Sequence, residues 1–439
     1  MDVSERDRRY MARGEHPAGV QVARSEGSFV VDHHGKKYID FTSGWCVGNL
    51  GWANDEVREA IRAFNGPAYV HPDHLYRPWA ELAETLAEIT PGKLTKSYRA
   101  TGGSEAVEIA LQVAMAATGR AGFVCLEDCY HGNTLGGRSL AGDRDQYPNL
   151  LAHCHRIAPP LDDRAAERVE RLLKGGQVAA FVMEPVVCNL GVVIPSKEFM
   201  TRVREACREH GTLFIMDEVA TGFGRTWRLF ASEHFDVDPD VLCLAKAITG
   251  GYAPMGATIV TDEVAKAAGV GFYSTYGWHP LSVAAALANL KYWSRHGDRI
   301  LTNVAAQSDY FRARLTGMEF AEPASVRVIG LAVGVEFGEK KQLRLKTRRP
   351  VPGGRSTGQR GGGQPDDPVP AADHRPRGGA AGPGHPEDLP LSVVAGERSR
   401  PIRSTHRRPS ASPEVPRPGL SSRKASPRGG TAGRTSART

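Results

Sequence analysis

The segment Asp240–Tyr252, DVLCLAKAITGGY, sets four apolar residues against a lysine and then a pair of glycines. Val241–Leu244 reads as a short buried strand and Gly250-Gly251 as a turn. A lysine at that strand end has two readings. Its stem can lie along apolar surface while the amine reaches water, or the amine is held there for chemistry. Two further segments share the pattern: Val178–Pro185, VAAFVMEP, ends around Glu184, and Gly211–Glu218, GTLFIMDE, around Asp217. Helical text such as KEFMTRVREACREHG (197–211) separates them. Short strands alternating with helices predict an α/β fold, a mostly parallel sheet covered on both faces. In such sheets ligands sit beyond the carboxyl ends of the strands, where Glu184, Asp217 and Lys246 all fall.

Flanking text agrees. DEVREAIRAFN (55–65) and AELAETLAEIT (80–90) carry helical spacing, and Pro91-Gly92 ends the second. In TGGSEAVEIALQVAMAATGR (101–120), Gly102-Gly103-Ser104 precedes a helix whose apolar Val107, Ala110, Leu111 and Ala114 share a face, closed by Gly119. Such a turn offers free backbone N–H groups and a hydroxyl to a phosphate. Equally, Ser104 can simply cap its own helix. The spacing is neither a Walker A loop nor GxGxxG, which disfavours a nucleotide cradle. In CYHGNTLGG (129–137), Tyr130 and His131 follow the apolar FVCLED run and top another strand. An aromatic there can lie against a planar ligand, or be a core tyrosine. Together, a phosphate turn, an aromatic plate, a strand-end aspartate and a strand-end lysine describe a holder for a phosphorylated aromatic aldehyde.

At this point the chain resembles the class III aminotransferases, fold-type I enzymes that use pyridoxal 5′-phosphate. The likeness runs from about Phe29 to Phe337 and rests on GSEAVEIALQ, YHGNTLGG, MEPV, DEVATGFGRT, LAKAITGGY and STYGWHPLSVAAALANL. It implies a large cofactor-binding domain with a mostly parallel sheet, and a smaller α+β domain. The expected boundaries are 1–55 (contributing to the small domain), 56–285 (large domain), 286–347 (the rest of the small domain) and 348–439 (a basic tail). The resemblance makes Lys246 the lysine that links to the cofactor aldehyde and Asp217 the partner of the pyridine nitrogen. Gly103 and Ser104 become phosphate ligands, Tyr130 the stacking aromatic with His131 beside it, and Val219 the residue on the other ring face. Glu184 falls near the cofactor and Trp45 in the substrate pocket. Thr275 matches a threonine that reaches the phosphate of a neighbouring subunit, which implies a homodimer. Arg138 and Arg225 are positional candidates for binding a substrate carboxylate, Arg225 equally a structural residue.

Three departures bear on the substrate. Ala220 stands where many members have Gln, in a DEVATGFGRT form like the diaminopelargonate branch. Trp278-His279 replaces the usual Gly-Asn before Pro280-Leu281, and GWAND (51–55) replaces Gly-His-x-x-Pro.

The charge is uneven. Arg348 to Thr439 hold 17 Arg plus Lys against 7 Asp plus Glu, leaving 39 basic and 42 acidic residues in the rest. The same 92 residues contain 15 of the 29 prolines and no Phe, Tyr or Trp, a composition that predicts disorder. No aromatics interleave with the arginines, so specific nucleic-acid binding is not expected. Arg/Pro/Gly/Ala-rich text of this kind is what a GC-rich gene yields out of frame. Pro368–Asp388, PVPAADHRPRGGAAGPGHPED, read from the second base of permitted codons, allows LFPPLTIDREVARQGLDILKT. That string resembles the missing part of the family's small domain, so a one-base frameshift is expected between about Lys346 and Gly353. All seven cysteines precede the tail, without CxxC pairs or zinc-ligand spacing, as reduced thiols in a cytoplasmic protein would. The N-terminus has no signal-peptide core, no run is long enough to span a membrane, and no metal is expected.

The leading function is transamination from an amine, ω-amino acid or amino acid to a keto acid or aldehyde. An aminomutase or decarboxylating transaminase is the alternative within the same cofactor chemistry; product without an external acceptor, or release of carbon dioxide, separates them. A reading of another class is a truncated non-catalytic protein whose basic tail adheres to nucleic acid, with salt-sensitive binding lost on deleting residues after about Arg348.

Overall fold

The three apolar runs become adjacent strands of one sheet. The computed structural model describes residues 2–12, 19–141, 147, 149–337 and 394–395, all within a unit spanning residues 1–399. Near the N-terminus β1 (Val22–Glu26), β2 (Phe29–Asp32) and β3 (Lys37–Ile39) form an antiparallel sheet. The central sheet comprises β4 (Leu94–Ala100), β5 (Gly122–Leu126), β6 (Cys154–Ile157), β7 (Val178–Met183), β8 (Leu213–Asp217), β9 (Val241–Leu244) and β10 (Gly256–Thr261). Their spatial order is β4-β10-β9-β8-β7-β5-β6. Strands β9, β8, β7, β5 and β6 run parallel, and β10 is antiparallel to both neighbours. β11 (Ala324–Ile329) and β12 (Ala332–Phe337) form a hairpin, which the two-residue β13 (Val394–Ala395) joins in parallel.

The runs are continuous rather than alternating because both faces of the sheet are covered. Every residue of β5, β7 and β9 is buried. Phe181 of β7 and Phe214 of β8 stack with ring centroids 5.9 Å apart, and each such side chain contributes roughly 1.5–3 kcal/mol when fully buried. Met183 pairs with Met216, and Asp217 with Cys243, so β7, β8 and β9 end close to one level.

The helices start and stop as their caps dictate. Asn54 accepts the Val57 N–H to open Asp55–Arg62, and Ser196 accepts the Phe199 N–H to open Lys197–Glu209. Arg77–Ile89 stops at Thr90, just before Pro91-Gly92. Gly103–Thr118 is closed by Gly119 at φ +66°, a conformation that glycine adopts without strain. Its N-cap is Gly102, so Ser104 lies inside the first turn and does not cap the helix.

The N-terminal turn of that helix lies against β10. A Cβ on Gly256 would stand 2.4 Å from the Gly102 carbonyl oxygen. Gly256→Ala is therefore expected to push the turn away, lowering stability by about 1–3 kcal/mol and weakening whatever the turn binds. Urea unfolding checks this, and an unchanged midpoint would refute the close approach.

The expected frame break and the tail 348–439, read as disordered, lie outside the described residues apart from β13. No described helix is long and apolar enough to cross a membrane.

Candidate active site

Lys246 follows β9 by two residues and opens the short 3-10 turn Lys246–Thr249. Its φ is +49°, a left-handed conformation that costs a non-glycine residue on the order of 1–2 kcal/mol. Gly250 and Gly251, at φ +62° and +85°, then turn the chain away. The side chain is half-buried. From the 37-residue helix Pro280–Thr316, the buried Asn289 donates through Nδ2 to the carbonyls of Ala247 (2.9 Å) and Ile248 (3.1 Å).

Asp217, the last residue of β8, is buried. Its Oδ1 accepts the Val219 N–H at 3.0 Å, and its Oδ2 meets His131 Nδ1 at 2.7 Å. The imidazole of His131 is wholly enclosed. Burial, the largest single influence on it, lowers its pKa, but the hydrogen bond and charge of Asp217 outweigh this and hold it above the ordinary histidine value. Here the sequence expectation is refined: His131 is bonded to the aspartate, while Tyr130, 41% exposed, is no core tyrosine.

Glu184, just past β7, is buried as well. Burial first, and then the negative charge of Asp217, push its pKa to about 7, against the pull of His131 and Lys246. Raised values of this kind have a definite thermodynamic sign. The folded chain holds the Glu184 proton more tightly than the unfolded chain, so stability is fully present below about pH 4.5 and is lost as pH rises through about 7. The raised His131 acts in the same direction, losing its contribution as pH rises above the ordinary histidine value. Glu184→Gln should remove the first loss and leave the second. Thermal midpoints of the variant and parent should therefore diverge between pH 5 and pH 8, whereas parallel curves would contradict the assignment. Glu218, the residue after Asp217, is different in kind: it accepts from Thr221 and from the Ala231 and Ser232 N–H groups, and so ties a loop.

Close approaches bring the remaining loops in. A Cβ on Gly103 would lie 2.8 Å from Val219 Cγ1 and 3.6 Å from the Cβ of Ala245, the residue before Lys246. Ser104 Oγ accepts the Asn133 N–H at 3.1 Å, and a Cβ on Gly132 would lie 2.6 Å from that oxygen. Nothing lies within 4 Å of a Cβ placed on Gly102, so the turn faces open space. Gly103, Ser104, His131, Asp217, Val219, Glu184 and Lys246 thus form one cluster.

Thr275 and Trp45 stand differently. Thr275 is exposed, beside Tyr273 and Tyr276 at 77% and 62% exposure. Trp45, 81% exposed, belongs to a left-handed turn in which Ser43, Gly44, Trp45 and Cys46 all have φ between +53° and +65°. The buried Arg225 donates through Nη2 to Ser43 Oγ at 3.2 Å and to Asn49 Oδ1. Arg225 therefore takes the structural side of its two readings. Arg138 donates to Asn133 Oδ1 at 2.7 Å. Asn289 is the residue that sequence reasoning missed; its signal was a lone amide within the apolar stretch SVAAALANL (282–290).

The set fits a phosphorylated pyridine aldehyde. It has backbone N–H groups and a hydroxyl at the start of a 16-residue helix, a buried carboxylate, and an amine at a neighbouring strand end. Two buried polar atoms of the cluster, His131 Nε2 and Glu184 Oε1, have no hydrogen-bond partner among the described residues.

Comparisons with known proteins agree with this chemistry. The family described as Aminotransferase class-III matches residues 10–353. The acetylornithine aminotransferase of Methanosarcina mazei is 36% identical over 340 residues, covering 76% of this chain and 83% of that protein. That of Methanopyrus kandleri is 36% identical, covering 74% and 82%. Among solved structures, a Bacillus anthracis aminotransferase superposes with a TM-score of 0.70 at 29% identity, covering 76% of this chain and 82% of that one. The omega transaminase from Pseudomonas jessenii in complex with PMP gives 0.71 at 26% identity, covering 77% and 84%.

Proposed function

Because the chain belongs to the class III aminotransferases, enzymes of pyridoxal phosphate-dependent transamination, we propose that Lys246 and Asp217 are its catalytic pair. We assign the donor to the amines, ω-amino acids or amino acids and the acceptor to keto acids or aldehydes. The observation that carries this reading is the convergence of a strand-end amine, a buried Asp217–His131 pair and the Gly102–Ser104 turn at the carboxyl ends of parallel strands.

When bound, pyridoxal phosphate supplies an aldehyde for covalent attachment and a ring that draws electrons from the substrate carbon. Gly103 and Ser104 would hold its phosphate through backbone N–H groups and the hydroxyl. Tyr130 and Val219 would flank the ring, and Trp45 would border the substrate. Asp217 would pair with the ring nitrogen, since each of its oxygens keeps a second lone pair beyond the bonds to Val219 and His131. His131 orients the carboxylate, and Glu184 adds a titratable group to the same enclosure. Once released, the Lys246 amine takes the proton from the amine-bearing carbon of the donor and returns one to the acceptor.

We read residues 56–285 as the cofactor-binding domain, with 1–55 and 286–347 in the small one. A homodimer, with Thr275 reaching the neighbouring site, is supported by the exposed Tyr273 and Tyr276 beside it. Seven buried thiols, none of them in a disulfide, support a reducing, cytoplasmic setting. The frame break between Lys346 and Gly353 is supported by the family match, which stops at residue 353.

The test is the visible spectrum after adding pyridoxal phosphate to two chains, this one and one with the frame restored near Gly353. A band from the lysine-linked cofactor is expected in the restored chain. A band in both means that the described core suffices for attachment, and no band in either removes the proposed site.

A further inference from the structure

A buried asparagine side chain is costly unless its four hydrogen-bonding positions are used. Asn289 is 1% exposed and uses both amide hydrogens, on Ala247 O and Ile248 O, while its Oδ1 is enclosed without a partner among the described residues. The arrangement favours two donors at the expense of an acceptor. Both donors serve the turn that Lys246 opens.

The far end of that turn is tied by Thr249, whose Oγ1 donates to Ala253 O at 2.6 Å and whose carbonyl accepts the Tyr252 N–H at 3.3 Å. Within the turn, Gly250 N–H donates to Ala247 O at 3.0 Å and Ile248 N–H to Ala245 O at 3.1 Å. The bond from Asn289 is the one the structure shows to the carbonyl of Ile248, a wholly buried residue. Lys246 itself sits at φ +49°, where a residue with a Cβ stays only when its surroundings hold it. Asn289 lies on the long helix Pro280–Thr316, a rigid element that spans many turns beyond the site.

We propose that Asn289 is a positioning residue. By bonding the two carbonyls after Lys246 it keeps the lysine backbone left-handed and so aims the amine at the reacting centre. The proposal rests on the reading of Lys246 as the attachment lysine. Leucine at 289 would keep the branched shape of the side chain and donate nothing. Alanine would leave room for water, which can donate to the freed carbonyls.

The experiment loads the full chain with pyridoxal phosphate and compares it with Asn289→Leu and Asn289→Ala. Three quantities are read: the pH midpoint of the visible band, the fraction of cofactor fixed on Lys246 by borohydride as mapped by mass spectrometry, and the thermal midpoint. In Asn289→Leu the pH midpoint is expected to move by about half a unit or more, and the fixed fraction at limiting cofactor to fall several-fold. Asn289→Ala should fall between this and the parent. A merely structural role would lower the thermal midpoint and leave the pH midpoint of the remaining band unmoved, which overturns the proposal. The same three readings are made with the frame restored near Gly353, and the absence of a band in both parents overturns the reading of Lys246 and this proposal with it. A normal parent band with an unmoved midpoint in Asn289→Leu overturns the role of Asn289 alone.

Discussion

Lys246→Ala is expected to lose turnover by at least about 10²–10⁴-fold, the range that a positioned acid–base group supplies, while the chain stays folded. The substitution removes both the amine that attaches the cofactor and the base that moves the substrate proton, so the lower bound applies to the second role alone. Stability should change little. Lys246 is half-buried at φ +49°, and alanine meets the same left-handed cost because it too carries a Cβ. Glycine would relieve that cost and confuse the comparison. The measurements are the visible band with pyridoxal phosphate, single-turnover transfer with a primary amine, and the thermal midpoint. A band that persists at its original wavelength in Lys246→Ala would sink the assignment.

Asp217→Asn should leave cofactor binding nearly intact and cost turnover about 10²–10³-fold, as the loss of a fixed electrostatic partner in a closed site does. Asparagine keeps the size of aspartate, and its oxygen can still accept the Val219 N–H. Its other arm becomes a donor facing His131 Nδ1, which must then accept, so the histidine proton moves to Nε2. With the carboxylate gone, burial prevails over the lost hydrogen bond and charge, and the His131 pKa falls. Two readouts should therefore move together: the transfer rate and the titration of His131 followed by NMR. Unchanged transfer would refute the role of Asp217, while an unmoved histidine would refute the pairing.

Much of this fold was legible because its strands are buried on both faces. Such strands announce themselves as uninterrupted apolar runs, and VAAFVMEP, GTLFIMDE and DVLCLAK became β7, β8 and β9. Local stop signals held as well, at Pro91-Gly92 and at Gly119. The capping role open to Ser104 did not hold, because Gly102 takes the N-cap and the hydroxyl turns to Asn133.

What the sequence determined by itself was therefore the kind of sheet, and the placing of Glu184, Asp217 and Lys246 beyond its strand ends. Periodicity and turn chemistry act over a few residues, and those properties are local. Partnerships were decided by the tertiary structure alone. His131 meets Asp217 across 86 residues, Asn289 reaches Ala247 across 42, and Arg225 reaches Ser43 across 182. No local preference encodes which distant donor will satisfy a buried carbonyl or carboxylate. That choice is made when the chain closes and every enclosed polar group must find a partner or bear the cost of lacking one.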